Sequence, residues 1–205
     1  MKRKKFSTCI YFLLSIFMLL GCRKNQTVFY SDGEQSQLAI FSNSSNNIMS
    51  CLVDGRPWRT PDRATSGFNA NTRYEIYIFK QISNTAQDTL LFSWTGYYVN
   101  QLQNGAMLTL KLPVAKDFGV VDLNRLALQR ILVDTTNGYF SSSIPELSGN
   151  AKGAGNIYFH TAKFDSIGTG FYSGKISGLF NANFFSKKIT EGRFDHLIEA
   201  NQIRL

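Results

Sequence analysis

The chain is poor in the residues from which most recognisable chemistry is built. Its 205 residues include two histidines, three cysteines and four prolines, and 18% are charged. With so little proline and 43% apolar residues, a disordered or collagen-like polymer is excluded and one folded domain is expected. His160 and His196 lie far apart in sequence, and neither has a second His or Cys at ligand spacing. A zinc centre would have to recruit carboxylates from elsewhere, so neither a metal nor a cofactor is expected. No G-x-S-x-G, H-E-x-x-H, Walker loop or D-x-D-x-D-G loop occurs. Gly149 to Gly155 (GNAKGAG) is glycine-rich but lacks a following Lys-Ser/Thr, so it reads as a loop and not a phosphate cradle. Also missing is the run of about 20 apolar residues that a membrane-spanning helix requires.

What the chain does have begins at its N-terminus. Lys2, Arg3, Lys4 and Lys5 precede an apolar stretch from Cys9 to Leu20, interrupted by Ser15 and ending in Leu19-Leu20-Gly21-Cys22. A basic start followed by a short apolar run is the layout of a secretory signal. Leu19-Leu20-Gly21-Cys22 resembles the bacterial lipoprotein box, in which small Gly21 lets the peptidase approach and Cys22 is acylated and becomes the new N-terminus. Each buried methylene contributes about 0.8 kcal/mol, so two or more acyl chains would anchor the chain stably. Residues 1–21 are therefore expected to be a cleaved signal peptide. Their removal takes four basic residues from the formal charge of +8 and leaves +4, which does not point to nucleic acid. Cys9 leaves with the signal and Cys22 carries lipid, so Cys51 has no disulfide partner and reads as a small core residue.

From Arg23 to Asn47 the composition is Ser, Asn, Gln and Thr, so residues 22–47 are expected to form a lipidated flexible tether. Its one apolar run, Leu38 to Phe41, could dock as an edge strand. From Ile48 onward apolar residues recur with period two. Tyr74, Ile76, Ile78 and Ile82 alternate with Glu75, Tyr77, Phe79 and Gln81, and Leu108, Leu110 and Leu112 with Met107, Thr109 and Lys111. Ile157, Phe159 and Thr161 interleave with Tyr158, His160 and Ala162 in the same way. Asp54-Gly55, Asn104-Gly105, Asn137-Gly138 and Gly168-Thr169-Gly170 supply turn residues. Asp122 to Arg130, with Asp122 as N-cap, reads as a helix or another strand. Phe171 to Phe185 reads as a bent strand that pairs with Ile189 to Leu197 through a turn at Ser186 to Lys188. Without repeats or intervening helices, residues 48–205 are expected to form an all-β antiparallel sandwich or barrel-like domain with at most one short helix.

Two ends of this domain carry a family resemblance. Cys51-Leu52-Val53-Asp54-Gly55-Arg56-Pro57-Trp58 resembles the V-D-G-K-P-W opening of small lipoproteins common in Bacteroidota, with Arg56 in place of the usual Lys. Ile189-Thr190-Glu191-Gly192-Arg193-Phe194-Asp195 resembles their closing I-T-x-G-x-F-D strand, and Gly174 to Phe184 their S-G-x-F-x-A hairpin. The region from Asn100 to Asn150 matches poorly. The resemblance implies an all-β lipoprotein domain and brings no catalytic residue with it. In that group, acidic residues after the lipidated Cys accompany surface export. Arg23-Lys24-Asn25-Gln26 lacks them, so the resemblance implies an outer-membrane lipoprotein facing the periplasm. The group also glycosylates exported proteins at Asp-Ser/Thr triplets, which makes Thr89, Thr135 and Ser166 candidate acceptors.

Candidate binding residues cluster between Asp54 and Arg73, where Arg56, Arg59 and Arg63 surround Trp58. Guanidinium grips carboxylate or phosphate bidentately, and an indole offers apolar area to a sugar ring. Trp58 beside a strand reads first as a core plug and second as a platform. Tyr97-Tyr98 is a second candidate platform. Among the acidic residues, Asp195 beside Arg193 and Phe194 is the first candidate for an unusual environment, or else for an ion pair on the last strand. Two functions follow as expectations. One is a non-catalytic, lipid-anchored binding or scaffolding module for a glycan or another envelope protein. The other is a small hydrolase of envelope carbohydrate using a carboxylate pair.

Overall fold

The computed structural model describes residues 31–35, 37–61, 76–99, 105–147 and 151–205. The expected signal peptide, Cys22, Arg63 and Arg73 lie outside these residues. Eleven strands form one curled mixed sheet, a half-barrel, and the all-β expectation holds in this barrel-like form rather than as two separate layers. In chain order the strands are β1 (Ile48–Val53), β2 (Arg56–Arg59), β3 (Ile76–Gln81), β4 (Asp88–Tyr98), β5 (Ala106–Val114), β6 (Arg130–Val133), β7 (Tyr139–Ser142), β8 (Ala154–Gly168), β9 (Phe171–Phe184), β10 (Lys187–Ile198) and β11 (Ile203–Arg204). The sheet runs β11-β3-β4-β2-β1-β10-β9-β8-β6, with β5 and then β7 branching from β4. β11 pairs with β3 in parallel, and the other named pairs are antiparallel.

Asp54-Gly55 and Gly168-Thr169-Gly170 turn the chain between paired strands, whereas Asn104 lies outside the described residues and Asn137-Gly138 precedes β7, which does not pair with β6. Asp54 and Gly55 both take positive φ, 51° and 80°, and set Val53 opposite Arg56 in the two-residue hairpin from β1 to β2. The turn from β9 to β10 is shorter than expected. It uses Phe185 and Ser186, while Lys187 and Lys188 already pair with Phe184 and Asn183. The helix also shifts. α1 spans Val120–Asn124 with Gly119 as N-cap, so Asp122 lies inside the first turn and its carboxylate accepts the Gly119 N–H at 3.1 Å. The rest of the Asp122–Arg130 segment leaves the helix and ends in β6.

Period two puts Ile76 and Ile78, Leu90, Phe92 and Trp94, and Leu108 and Leu110 on the inner face, all fully buried. On β8 the alternation breaks. A bulge between Phe159 and Thr161 flips the strand, so Ala162 and Phe164 turn inward in place of the expected Thr161. At the centre Phe180 stacks on Trp94, with centroids 6.1 Å apart, and on Phe140 at 6.1 Å, and it also touches Phe194 at 6.4 Å. Gly178 on β9 faces this cluster. A Cβ there would lie 2.6 Å from the Phe194 ring and 2.1 Å from the Tyr158 carbonyl, so strand contact at that point requires glycine.

Candidate functional site

The opening hairpin places the predicted Arg-Trp cluster, and it divides the cluster between core and rim. Trp58 is fully buried and belongs to the core. Tyr97 and Tyr98, which pair with Arg59 and Trp58, are 9% and 8% exposed. These three rings therefore offer no platform to a ligand. The reason is register: β2 crosses the end of β4 so closely that Gly96 lies against the Trp58 indole, which plugs the barrel wall. Arg59 is half-buried.

Arg56 stays at the rim, where its charge is already matched. Its guanidinium lies 4.1 Å above the Tyr98 ring and bonds Glu146 at 2.8 Å, while the Tyr98 hydroxyl donates to the other Glu146 oxygen at 2.9 Å. Burial, followed by the bond to Glu146, raises the Tyr98 pKa. Burial also acts to raise Glu146. Bonds from its own backbone N–H and from Tyr98, with the Arg56 charge, outweigh that and leave it below the usual carboxylate range. The triad is closed on itself, with the anion that Arg56 might have gripped supplied by the chain. Glu146 carries no signal in the sequence, because it reaches Arg56 from 90 residues away.

A second polar cluster lies on the outer face of β10. The polar stretch expected as a tether packs there over its described residues. Leu38 is fully buried, Ala39 donates its N–H to Ser50 Oγ at 3.0 Å, and Ser31 bridges Ala39. Arg193 bonds Asp32 at 2.6 Å, the Ala39 carbonyl at 3.2 Å and Glu191 at 3.2 Å. Asp195, 3% exposed, accepts bonds from Ser42 Oγ, the Ser45 N–H at 2.9 Å and the Asn46 N–H at 3.1 Å. Asn47 closes the strap by accepting the Leu197 N–H at 2.8 Å. The described fold thus already includes residues 31–35 and 37–47, ahead of the expected start at Ile48. Arg193 and Asp195, two of the three charges of the closing motif, hold this strap and do not pair with each other.

The remaining candidates fall into place more simply. Cys51 is fully buried, and burial raises its thiol pKa, as befits a core residue and not a nucleophile. His160 is a half-buried strand residue whose ring meets Phe41 edge-on at 5.5 Å. His196 is 1% exposed, and burial lowers its pKa to about 3. Among the described residues no group of three or more His, Cys, Asp or Glu could hold a metal ion. Thr135 and Ser166 are exposed, whereas Thr89 is half-buried in β4 between Gln81 and Pro113.

One further surface takes shape on the outer face of β3, β4, β5 and β7. Their register aligns Phe79, Leu91, Lys111 and Tyr139 in a row, and β11 adds Arg204 beside Phe79. Lys111 Nζ and Lys152 Nζ lie 5.4 and 4.7 Å from the Tyr139 ring centre. The alternation of β5 already assigns Lys111 to the outer face; its meeting with Tyr139 depends on the β5–β7 pairing.

Comparison of the chain with family profiles, with curated proteins and with solved structures finds no match in any of the three.

Proposed function

We propose that the chain is a lipid-anchored lipoprotein of a bacterial envelope whose folded body is a binding or scaffolding module for a glycan or another envelope protein. The observation that carries this reading is the basic start, the short apolar run and Leu19-Leu20-Gly21-Cys22 in immediate succession. The outer membrane, with the body facing the periplasm, is the location that fits Arg23-Lys24-Asn25-Gln26.

The strap supports the reading by limiting how far the body stands from the membrane. Since Ser31 is already paired with Ala39, the spacer from Cys22 can reach no more than about 30 Å. The body is held near the bilayer and the network around Arg193 and Asp195 bears the connection. Thr135 and Ser166 are the two triplet acceptors that the fold leaves open to a glycosylating enzyme. A carboxylate-pair hydrolase is less well served by the described residues. Asp32, Asp54, Asp88, Asp134 and Glu146 are all shifted below their usual pKa values, opposite to what a general acid needs.

Replacing Cys22 with Ser in the native host tests the anchor. Fatty-acid labelling should vanish and the protein should leave the membrane fraction; labelling that persists would overturn the reading.

A further inference from the structure

We propose that the outer face of β3, β4, β5 and β7 binds an acidic glycan, with carboxylated sugars lying across the strands along the row from Arg204 to Tyr139. The proposal rests on the reading of the body as a binding module and names both its surface and its ligand class.

Three observations converge. The first is charge of one sign. Among the described strands β3, β4, β5, β7 and β11, the one carboxylate side chain is Asp88, which faces the other way and is 3% exposed. The outer row carries Lys111 and Arg204, and Lys152 stands over Tyr139 beside it. Contrast Arg56 and Arg193, each of which has a carboxylate of this chain at 2.8 Å or less. Among the described residues Lys111, Lys152 and Arg204 form no ion pair.

The second observation is the aromatic surface between those cations. Phe79 and Tyr77 are 37% and 36% exposed, and Tyr139 is half-buried with a cation over its ring. Leu91, 6% exposed, lies between Phe79 and Lys111 in the row. Flat apolar rings suit the C–H faces of pyranoses, and lysines at ring level suit their carboxylates. An anionic bilayer would instead call for a continuous apolar face able to sink about 5–10 Å into the headgroup boundary.

The third is length. Arg204 and Tyr139 are four strand spacings apart, roughly 19 Å, the span of about three or four linked sugars. A linear ligand crossing the strands would meet Arg204, Phe79, Lys111 and Tyr139 in turn.

The test uses the full lipidated chain in neutral detergent micelles and titration calorimetry with tetragalacturonate, tetramannuronate and methyl-esterified tetragalacturonate. At least one acidic tetramer should bind, and the ester should bind about tenfold or more weakly. The Lys111→Gln, Lys152→Gln double variant should lose about tenfold in affinity while its unfolding midpoint is unchanged. Phe79→Ala should also weaken binding, and Phe79→Tyr should restore it, which separates a lost ring from a damaged fold. Equal binding of acid and ester, binding of neither acid, or unaltered binding by the Lys variant would each overturn the proposal. So would phosphatidylglycerol vesicles that bind the Cys22→Ser protein in a manner dependent on Lys111 and Phe79, since the face would then be a lipid surface. Fatty-acid labelling of native Cys22 reads the anchor independently, so failure of this face and failure of the lipoprotein reading give different results.

Discussion

The two halves of the curled sheet treat their outer faces in opposite ways. Over β1 and β10 the chain lays its own N-terminal strap, and the outward residues beneath it, Arg193 and Asp195, are buried charges satisfied by Asp32, Ser42 and backbone N–H groups. Over β3, β4, β5 and β7 the outward residues include Tyr77, Phe79, Lys111 and Tyr139, with Tyr77 and Phe79 more than one-third exposed. Covered charge must be paired within the molecule, because burying it alone is costly. Cations left at an open face keep their capacity to meet a partner. The same sheet therefore carries one surface engaged by its own chain and one on which Tyr77 and Phe79 stay exposed.

Breaking the core that both halves share should have the largest effect. Phe180 stacks on Trp94 and Phe140, so Phe180→Ala should destabilise the protein by about 3–5 kcal/mol, measured by denaturant unfolding. A loss below about 1 kcal/mol would show that the halves do not depend on this cluster.

Next in size is release of the strap. Asp195→Ala removes the acceptor of two backbone N–H groups and a hydroxyl, and should cost about 2 kcal/mol. Hydrogen exchange should rise over residues 31–47 while β3, β4 and β5 stay protected. The matching change on the open half, Lys111→Ala, should move stability by no more than about 0.5 kcal/mol. Equal costs at the two positions would erase the contrast between the faces.

Of a size similar to release of the strap is a pH dependence that belongs to the strapped half. His196 lies on the inner side of β10, and burial lowers its pKa to about 3 from 6.5. The unfolded chain takes up a proton near pH 6.5 that the folded chain refuses. Stability is therefore full above that pH and falls as pH falls, by about 1.4 kcal/mol per unit, until about pH 3. Between pH 6.5 and 5 the loss should be about 2 kcal/mol. This window lies above that of Asp32, Asp54, Asp88, Asp134 and Glu146, whose lowered pKa values make them lose stability at more acid pH. Urea unfolding of His196→Gln should show a flatter profile there; an unchanged slope would place the titration elsewhere.

How much was legible follows from the range of each signal. Alternation along β3 and β5 identifies buried Ile76, Ile78, Leu108 and Leu110 because a strand sends successive side chains to opposite faces whatever its partners. Asp54-Gly55 announces its hairpin because few residues accept positive φ in succession. The bulge in β8 was not legible, since no residue type marks one extra position between Phe159 and Thr161. Nor could composition separate Trp58 as a plug from Trp58 as a platform, because burial depends on which strand crosses it. For the same reason composition points to a tether before Ile48, whereas residues 31–35 and 37–47 pack on the sheet. Ser, Asn and Asp bury little area of their own, but Arg193 and Asp195 provide partners for them from about 150 residues away.

By itself the sequence determined the all-β class, the inner face of the most regular strands and the hairpin at Asp54-Gly55, since each of these follows from backbone geometry within a few residues. Tertiary structure decided the rest: that Glu146 neutralises Arg56, that the strap covers β10, and that Lys111, Lys152 and Tyr139 meet on an open face. Those outcomes depend on how the sheet curls and which strands become neighbours. Such pairings join residues far apart along the chain, and no local pattern records them.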